Sequence, residues 1–147
     1  MSIVERIQAD QKTALKAGEK ERLSALRLLS SELKNRRIEL GRDLTDEDSI
    51  EVLMKALKQR RESEEQYTKG SRPELAAREA AEAEVIRGYL PAQLSDAELD
   101  AMIDAAIAEA GATTMKEMGA VMGQLMPKLK GRAEGAVVSA RVKERLG

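Results

Sequence analysis

Histidine, cysteine, tryptophan and phenylalanine are absent from the 147 residues, and tyrosine occurs only at Tyr67 and Tyr89. Without imidazole or thiolate there is no Ser-His-Asp or Cys-His nucleophile, no imidazole or thiolate metal site and no disulfide framework. Two tyrosines are too few for an aromatic platform on which single-stranded bases stack. An enzyme here would have to work with carboxylates, lysines and hydroxyls alone. Glu5 and Arg6 fall where a signal peptide needs its apolar core, and no apolar run approaches membrane-spanning length. A cytoplasmic protein without a membrane partner and without a cofactor is expected.

The net charge of −1 conceals an asymmetry. Residues 1–90 hold 18 cations and 18 acids, and residues 91–115 hold five acids (Asp96, Glu98, Asp100, Asp104, Glu109) and no cation. Residues 116–147 hold seven cations (Lys116, Lys128, Lys130, Arg132, Arg141, Lys143, Arg145) against three acids, a net +4. Acidic first and basic after, this third of the chain suggests a surface with a preferred partner.

The chain reads as all-α. Ser2 with Glu5, Ser71 with Glu74, Ser95 with Glu98 and Thr114 with Glu117 match the Ser/Thr-x-x-Glu capping box, in which each side chain satisfies an end amide of the other's turn. Gly18, Gly41, Gly70 and Gly111 stand where left-handed C-terminal caps belong. Helices are expected near 2–17, 20–40, 46–69, 73–88, 96–110, 115–126 and 134–146. Leu26, Leu29, Leu33 and Leu40 share one face of the second; Leu99, Met102, Ile103, Ala106 and Ala110 share one face of the fifth. The third helix packs through Ile50, Leu53, Met54 and Leu57, but Lys58–Gly70 has almost nothing apolar and is expected to project into solvent or lean on a partner. Pro91 cannot continue the fourth helix and Ser95 opens the fifth. A larger N-terminal helical domain, 1–90, followed by a three-helix C-terminal domain, 91–147, is the expected organisation.

Several motifs have plain readings. Asp43, Asp46, Glu47 and Asp48 lack the loop glycine and distal glutamate of an EF-hand and fit capping and helix-dipole roles. Glu62, Glu64 and Glu65 read as a solvated face. Met115, Met118, Met122 and Met126 recur at helical spacing and fit core packing better than an adaptable groove. Gly119 and Gly123 form a small-xxx-small pair on a segment too short to span a membrane, which implies close approach of another helix or of a ligand backbone.

The stretch PKLKGRAEG, 127–135, is the most suggestive. Lys128, Lys130 and Arg132 bring three cations, and Gly131 and Gly135 would expose backbone amides beside the start of the last helix. Phosphate is the matching ligand. With no Walker lysine-serine pair and no preceding strand, a polyanion backbone fits better than a nucleotide. An exposed, solubilising connector is the bland alternative.

GYLPAQLSDAEL (88–99), MGAVMGQLMPKLKGRAEG (118–135) and VVSARVKERL (137–146) together resemble the YqeY family (GatB/YqeY domain), a likeness that runs through essentially the whole chain. Where that family usually has aspartate in Gly-(Arg/Lys)-Ala-Asp-Gly, this chain has Glu134 and keeps the charge. The resemblance implies a larger helical bundle followed by a three-helix domain similar to the tail of the B subunit of the glutamine-dependent tRNA amidotransferase, a carbon-nitrogen ligase that uses glutamine as amido-N-donor. In that enzyme the tail contacts tRNA and the catalytic machinery lies elsewhere. The resemblance therefore implies a stand-alone tRNA-binding accessory module, associated with an aminoacylation or amidation complex and not catalytic alone. The nucleic-acid-binding residues would be Lys128, Lys130, Gly131, Arg132, Gly135, Gly119 and Gly123. The alternative is a helical protein-interaction adaptor, with Lys58–Gly70 and the methionine stripe as its docking elements and an incidental basic loop.

Overall fold

Ser2 accepts from the Glu5 amide at 3.1 Å, and a helix runs from there over Ile3–Ala17 (α1) until Gly18, at φ 73°, turns the chain back. Lys20–Leu40 (α2) follows and stops at Gly41, again left-handed at φ 67°. A computed structural model describes all residues, Met1–Gly147. The remaining elements are α3 (Asp46–Lys69), α4 (Pro73–Arg87), α5 (Asp96–Ala110), a 3-10 turn (Met115–Glu117), α6 (Met118–Leu129) and α7 (Gly135–Leu146). Every regular element is helical, so the fold is all-α. The chain divides into two compact units, Met1–Leu90 and Pro91–Gly147.

In the first unit two helical hairpins, α1–α2 and α3–α4, enclose a core in which Ile7, Leu26, Leu29, Leu53 and Ile86 are at most 1% exposed. Each such side chain contributes about 1.5–3 kcal/mol through its removal from water. Leu33 joins them, while Leu40 is only part-buried in the last turn of α2. Tyr89 closes the bottom of this core. Its hydroxyl donates to Asp10 on α1, the Arg6 guanidinium lies 5.1 Å from its ring centroid, and Arg6 also donates to the Gly88 carbonyl at 3.3 Å. One aromatic residue after α4 is thereby tied to two side chains of α1.

The α3–α4 hairpin departs from expectation. Lys58–Lys69 does not project freely, because α4 lies along it. The small residues Ala76 and Ala83 of α4 are buried and allow close approach. The interface is polar as well: Arg60, 8% exposed, meets Glu82 at 3.1 Å and Glu32 at 3.7 Å. Periodicity of apolar residues alone misses a helix face buried through an arginine. The Ser71–Glu74 capping box does not form either. Ser71 takes the left-handed conformation, at φ 56°, that Gly70 was expected to supply, and Gly70 itself stands at φ −83°. Pro73 is the reason. It occupies the first helical position of α4 and bars the α conformation to Arg72, which moves the cap position past Ser71. An aspartate version of the box occurs instead at Thr45, whose hydroxyl accepts from the Asp48 amide while Asp48 accepts from the Thr45 amide. Asp48 also pairs with Arg42 at 2.6 Å, and Asp46 accepts from the Ile3 amide at 3.0 Å.

In the second unit α5, α6 and α7 surround Ile103, Val121, Leu129, Val138 and Val142, none of which is measurably exposed. Capping boxes at Ser95–Glu98 and Thr114–Glu117 start α5 and the 3-10 turn, and Gly111 ends α5 at φ 63°. Met118, Met122 and Met126 pack against this core, and Met115 is 44% exposed. Helix α6 runs beyond residue 126, carrying Pro127 inside it. A proline in a helix costs about 3 kcal/mol, but burying Leu129 one turn after Leu125 recovers about 1.5–3 kcal/mol, and the helix continues.

Candidate nucleic-acid interface

The seven residues singled out from sequence fall into three different situations. Gly131 and Arg132 belong to a clasp. Gln93 Nε2 donates to the Gly131 carbonyl at 2.6 Å, the Leu94 amide donates to the Arg132 carbonyl at 3.1 Å, and Arg132 Nε donates to the Ala92 carbonyl at 3.2 Å. Gly131 is buried at φ 79°, where only glycine fits without strain. The amides of Arg132 and Ala133 are both taken by the Leu129 carbonyl. The segment is thus not an open, amide-lined loop: it is bonded to Pro91–Leu94, and Arg132 spends its Nε donor on that fold. The two motifs GYLPAQL and PKLKGRAEG are hydrogen-bond partners, a relation invisible to spacing because they lie about 40 positions apart.

Lys128 sits in the last turn of α6 and Lys130 just beyond it, both exposed. Gly135 is the exposed first residue of α7. Glu134 precedes it in extended conformation and makes no side-chain cap hydrogen bond, so the Gly135 and Ala136 amides begin the helix uncapped, an arrangement that favours an anion.

Gly119 and Gly123 lie on the outward face of α6 with Ala120, Gln124 and Pro127, all exposed. No helix of this unit packs on them: a Cβ at either position would meet nothing within 4 Å. Pro127 has no N–H to offer the Gly123 carbonyl four residues back. The result is a strip of helix backbone bare of side chains, whose Gly123 carbonyl lacks an i+4 donor, between the exposed Lys116 and Lys128 in sequence.

The charge asymmetry of this unit is largely internal. Arg141 meets Asp96 at 2.9 Å and Asp100 at 2.8 Å, and Arg145 meets Asp104 at 2.7 Å and Asp100 at 3.7 Å. Three acids at four-residue spacing on α5 therefore form a ladder with two arginines at the same spacing on α7. The hydrogen bond to Asp100 raises the Arg141 pKa. The Ser95 hydroxyl and amide lower the Glu98 pKa, with a smaller contribution from the Arg132 charge. What reads in sequence as a polar surface awaiting a partner is in good part a helix-helix seam. Lys116, Lys128 and Lys143 are cations left facing solvent without a carboxylate. Sequence reasoning singled out Lys128 and missed Lys116, which only its place beside the glycine strip marks. No helix is long and apolar enough to cross a membrane.

A family model described as Yqey-like protein matches residues 4–146. "Altered inheritance of mitochondria protein 41, mitochondrial" from Lachancea thermotolerans is 34% identical over 110 residues, which cover 72% of this chain and 58% of that protein. The chain thus spans less than two thirds of that relative's length. The family match takes in both units, including the clasp, the glycine strip and the ladder, and on that basis the chain belongs to the YqeY family.

Proposed function

We propose that the protein is a tRNA-binding accessory module, related to the tail of the glutamine-dependent tRNA amidotransferase and acting in trans for an aminoacylation or amidation complex in the cytoplasm. The observation that carries this reading is the unpartnered outward face of α6. Gly119 and Gly123 leave its backbone open to within van der Waals distance, Pro127 removes the i+4 donor to the Gly123 carbonyl, and the exposed Lys116 and Lys128 precede and follow the strip in sequence. A sugar-phosphate backbone fits that combination: phosphates meet the lysines and the uncapped α7 amides, and a 2′-hydroxyl can donate to the carbonyl. Base-specific stacking has no part in it, since the second unit contains no aromatic residue. Chemistry is left to a partner enzyme. Given glutamine, ATP and misacylated tRNA, the purified protein is expected to release no ammonia.

The adaptor reading has less support, because one side of Lys58–Lys69 is taken by α4 and three of the four stripe methionines are partly buried on the core. The test fills the glycine strip. Gly119→Gln with Gly123→Gln adds side chains where space is open and replaces two weak helix formers with a better one, so stability is expected to rise by about 0.5 kcal/mol or more per site. Binding of bulk tRNA, measured by filter retention, is expected to fall at least fivefold. Parental affinity in a stable double variant would overturn the reading.

A further inference from the structure

We propose that the outward face of α2, in the N-terminal unit, is a separate binding surface for the sugar-phosphate backbone of double-stranded RNA. Lys20, Ser24, Arg27, Ser31, Lys34 and Ile38 recur at alternating steps of four and three residues, which places them in one column along the helix. All six are exposed, opposite the buried Leu26, Leu29 and Leu33. The three cations succeed one another every seven residues, about 10.5 Å apart at the helical rise. Small hydroxyl residues separate them, so within the column no acid stands between the cations, although Glu21 and Glu74 line the groove beside its Lys20–Ser24 end.

Helix geometry leaves these cations unneutralised. A salt bridge on a helix needs an acid three or four residues away, and none of Lys20, Arg27 and Lys34 has one at those offsets within α2. Nor does tertiary structure supply an acid, since none of the three is engaged by a carboxylate. By contrast Arg22, Arg36, Arg37, Arg42 and Arg60 each meet one. Of the three acids of α2, Glu32 is turned towards Arg60 on α3, Glu39 is held by Arg36, and Glu21 stands exposed one residue from Lys20, off the column. The asymmetry extends to the whole unit. Residues 1–40 carry nine cations and six acids, a net +3, and residues 41–90 carry nine and twelve, a net −3.

At physiological ionic strength the Debye length is about 8 Å, so cations spaced by about 10.5 Å repel one another little and the column costs the fold little. Each can hold its own phosphate. Lysine and arginine take phosphate oxygens, and serine hydroxyls between them donate to the same backbone. A protein partner would look for a desolvated aromatic or apolar anchor at the centre of the surface, and here the centre is Arg27 flanked by serines. Duplex RNA, read by shape and backbone, needs no aromatic platform.

The experiment compares full-length variants binding a 24-base-pair RNA duplex across a salt series. Lys20→Ala, Arg27→Ala and Lys34→Ala together are expected to weaken binding at least tenfold at 0.1 M salt and to remove about two to three units from the log-log salt slope. Lys55→Ala, Lys58→Ala and Lys69→Ala remove the same formal charge from α3 and are expected to weaken binding less than twofold. A second variant, Ser24→Glu with Ser31→Glu, keeps all three cations but places acids between them, and is expected to weaken binding as strongly. Equal losses from the α2 and α3 triples would overturn the proposal in favour of diffuse attraction, and so would parental affinity in the α2 triple. An α2 triple that keeps its RNA affinity but loses binding to polyglutamate would overturn it in favour of an acidic protein partner. The glycine-strip variant leaves α2 untouched, so failure of one surface is distinguishable from failure of the other.

Discussion

Gln93 donates from Nε2 to the Gly131 carbonyl at 2.6 Å and to the Pro91 carbonyl at 3.0 Å. One side chain thus holds the entry of the second unit against the turn that leads into its last helix. The bond is part-buried, and the glycine it reaches is in a conformation that other residues adopt only under strain.

Gln93→Ala is therefore expected to destabilise the second unit by about 1 kcal/mol, the usual net worth of an intramolecular hydrogen bond. Gly131→Ala should cost about 1–2 kcal/mol through the left-handed backbone. The two effects should not add fully, because they act on one clasp. Urea denaturation gives the magnitudes, and faster hydrogen exchange at the Leu94 amide gives the place.

The ladder between α5 and α7 should behave as a coupled unit. Arg141→Asp alone and Asp100→Arg alone are each expected to lower the melting temperature, and the exchange of both charges should restore part of the loss. The recovery should shrink in 1 M salt, where screening is strong. A double variant no better than the worse single one would show that geometry, not charge pairing, joins the helices.

Tyr89 ties stability to alkaline pH. Burial first, and then the hydrogen bond to the Asp10 carboxylate, raise its pKa well above the ordinary value of about 10. The folded state keeps the phenolic proton that the unfolded chain releases, so this contribution is full below pH about 10 and is lost as pH rises towards the folded pKa. In a Tyr67→Phe background Tyr89 is the sole tyrosine, and its absorbance at 295 nm should show no ionisation until well beyond pH 10. Tyr89→Phe should flatten the fall of stability with pH in that range.

Ser49 is fully buried in the first turns of α3, and its hydroxyl has no hydrogen-bond partner. Replacing it with alanine removes an unsatisfied polar group of nearly the same size. Stabilisation of about 1 kcal/mol is expected in thermal or urea unfolding. A loss of similar size would mean that the hydroxyl finds a partner in solution.

The fragment Pro91–Gly147 is expected to fold alone, because its core draws on no side chain from before residue 91. Its small size makes the stability shallow, and a cooperative melt by circular dichroism is the check. A random-coil spectrum under native conditions would sink the division into independently folding domains.

Local chemistry was enough to mark most of the helices, because their stop signals act within a few residues. The left-handed Gly18, Gly41 and Gly111 and the boxes at Ser95 and Thr114 are decided by atoms three or four positions apart, and the stripes of Leu26, Leu29 and Leu33 follow from the helical period alone. The absence of histidine and cysteine likewise removed whole classes of chemistry before any fold was known. What the cations do was different. Arg132, Arg141 and Lys128 look alike in sequence, yet one is bonded to the Ala92 carbonyl, one is held by two aspartates, and one faces water. Arg60 looks like a solvated charge and is buried against two glutamates. Those fates depend on acceptors about 20 to 45 positions away, and long side chains reach whatever the packed helices bring within a few ångströms. Pairs three or four residues apart, such as Arg36 with Glu39, follow from helical spacing, but tertiary structure alone decided which charges meet across helices.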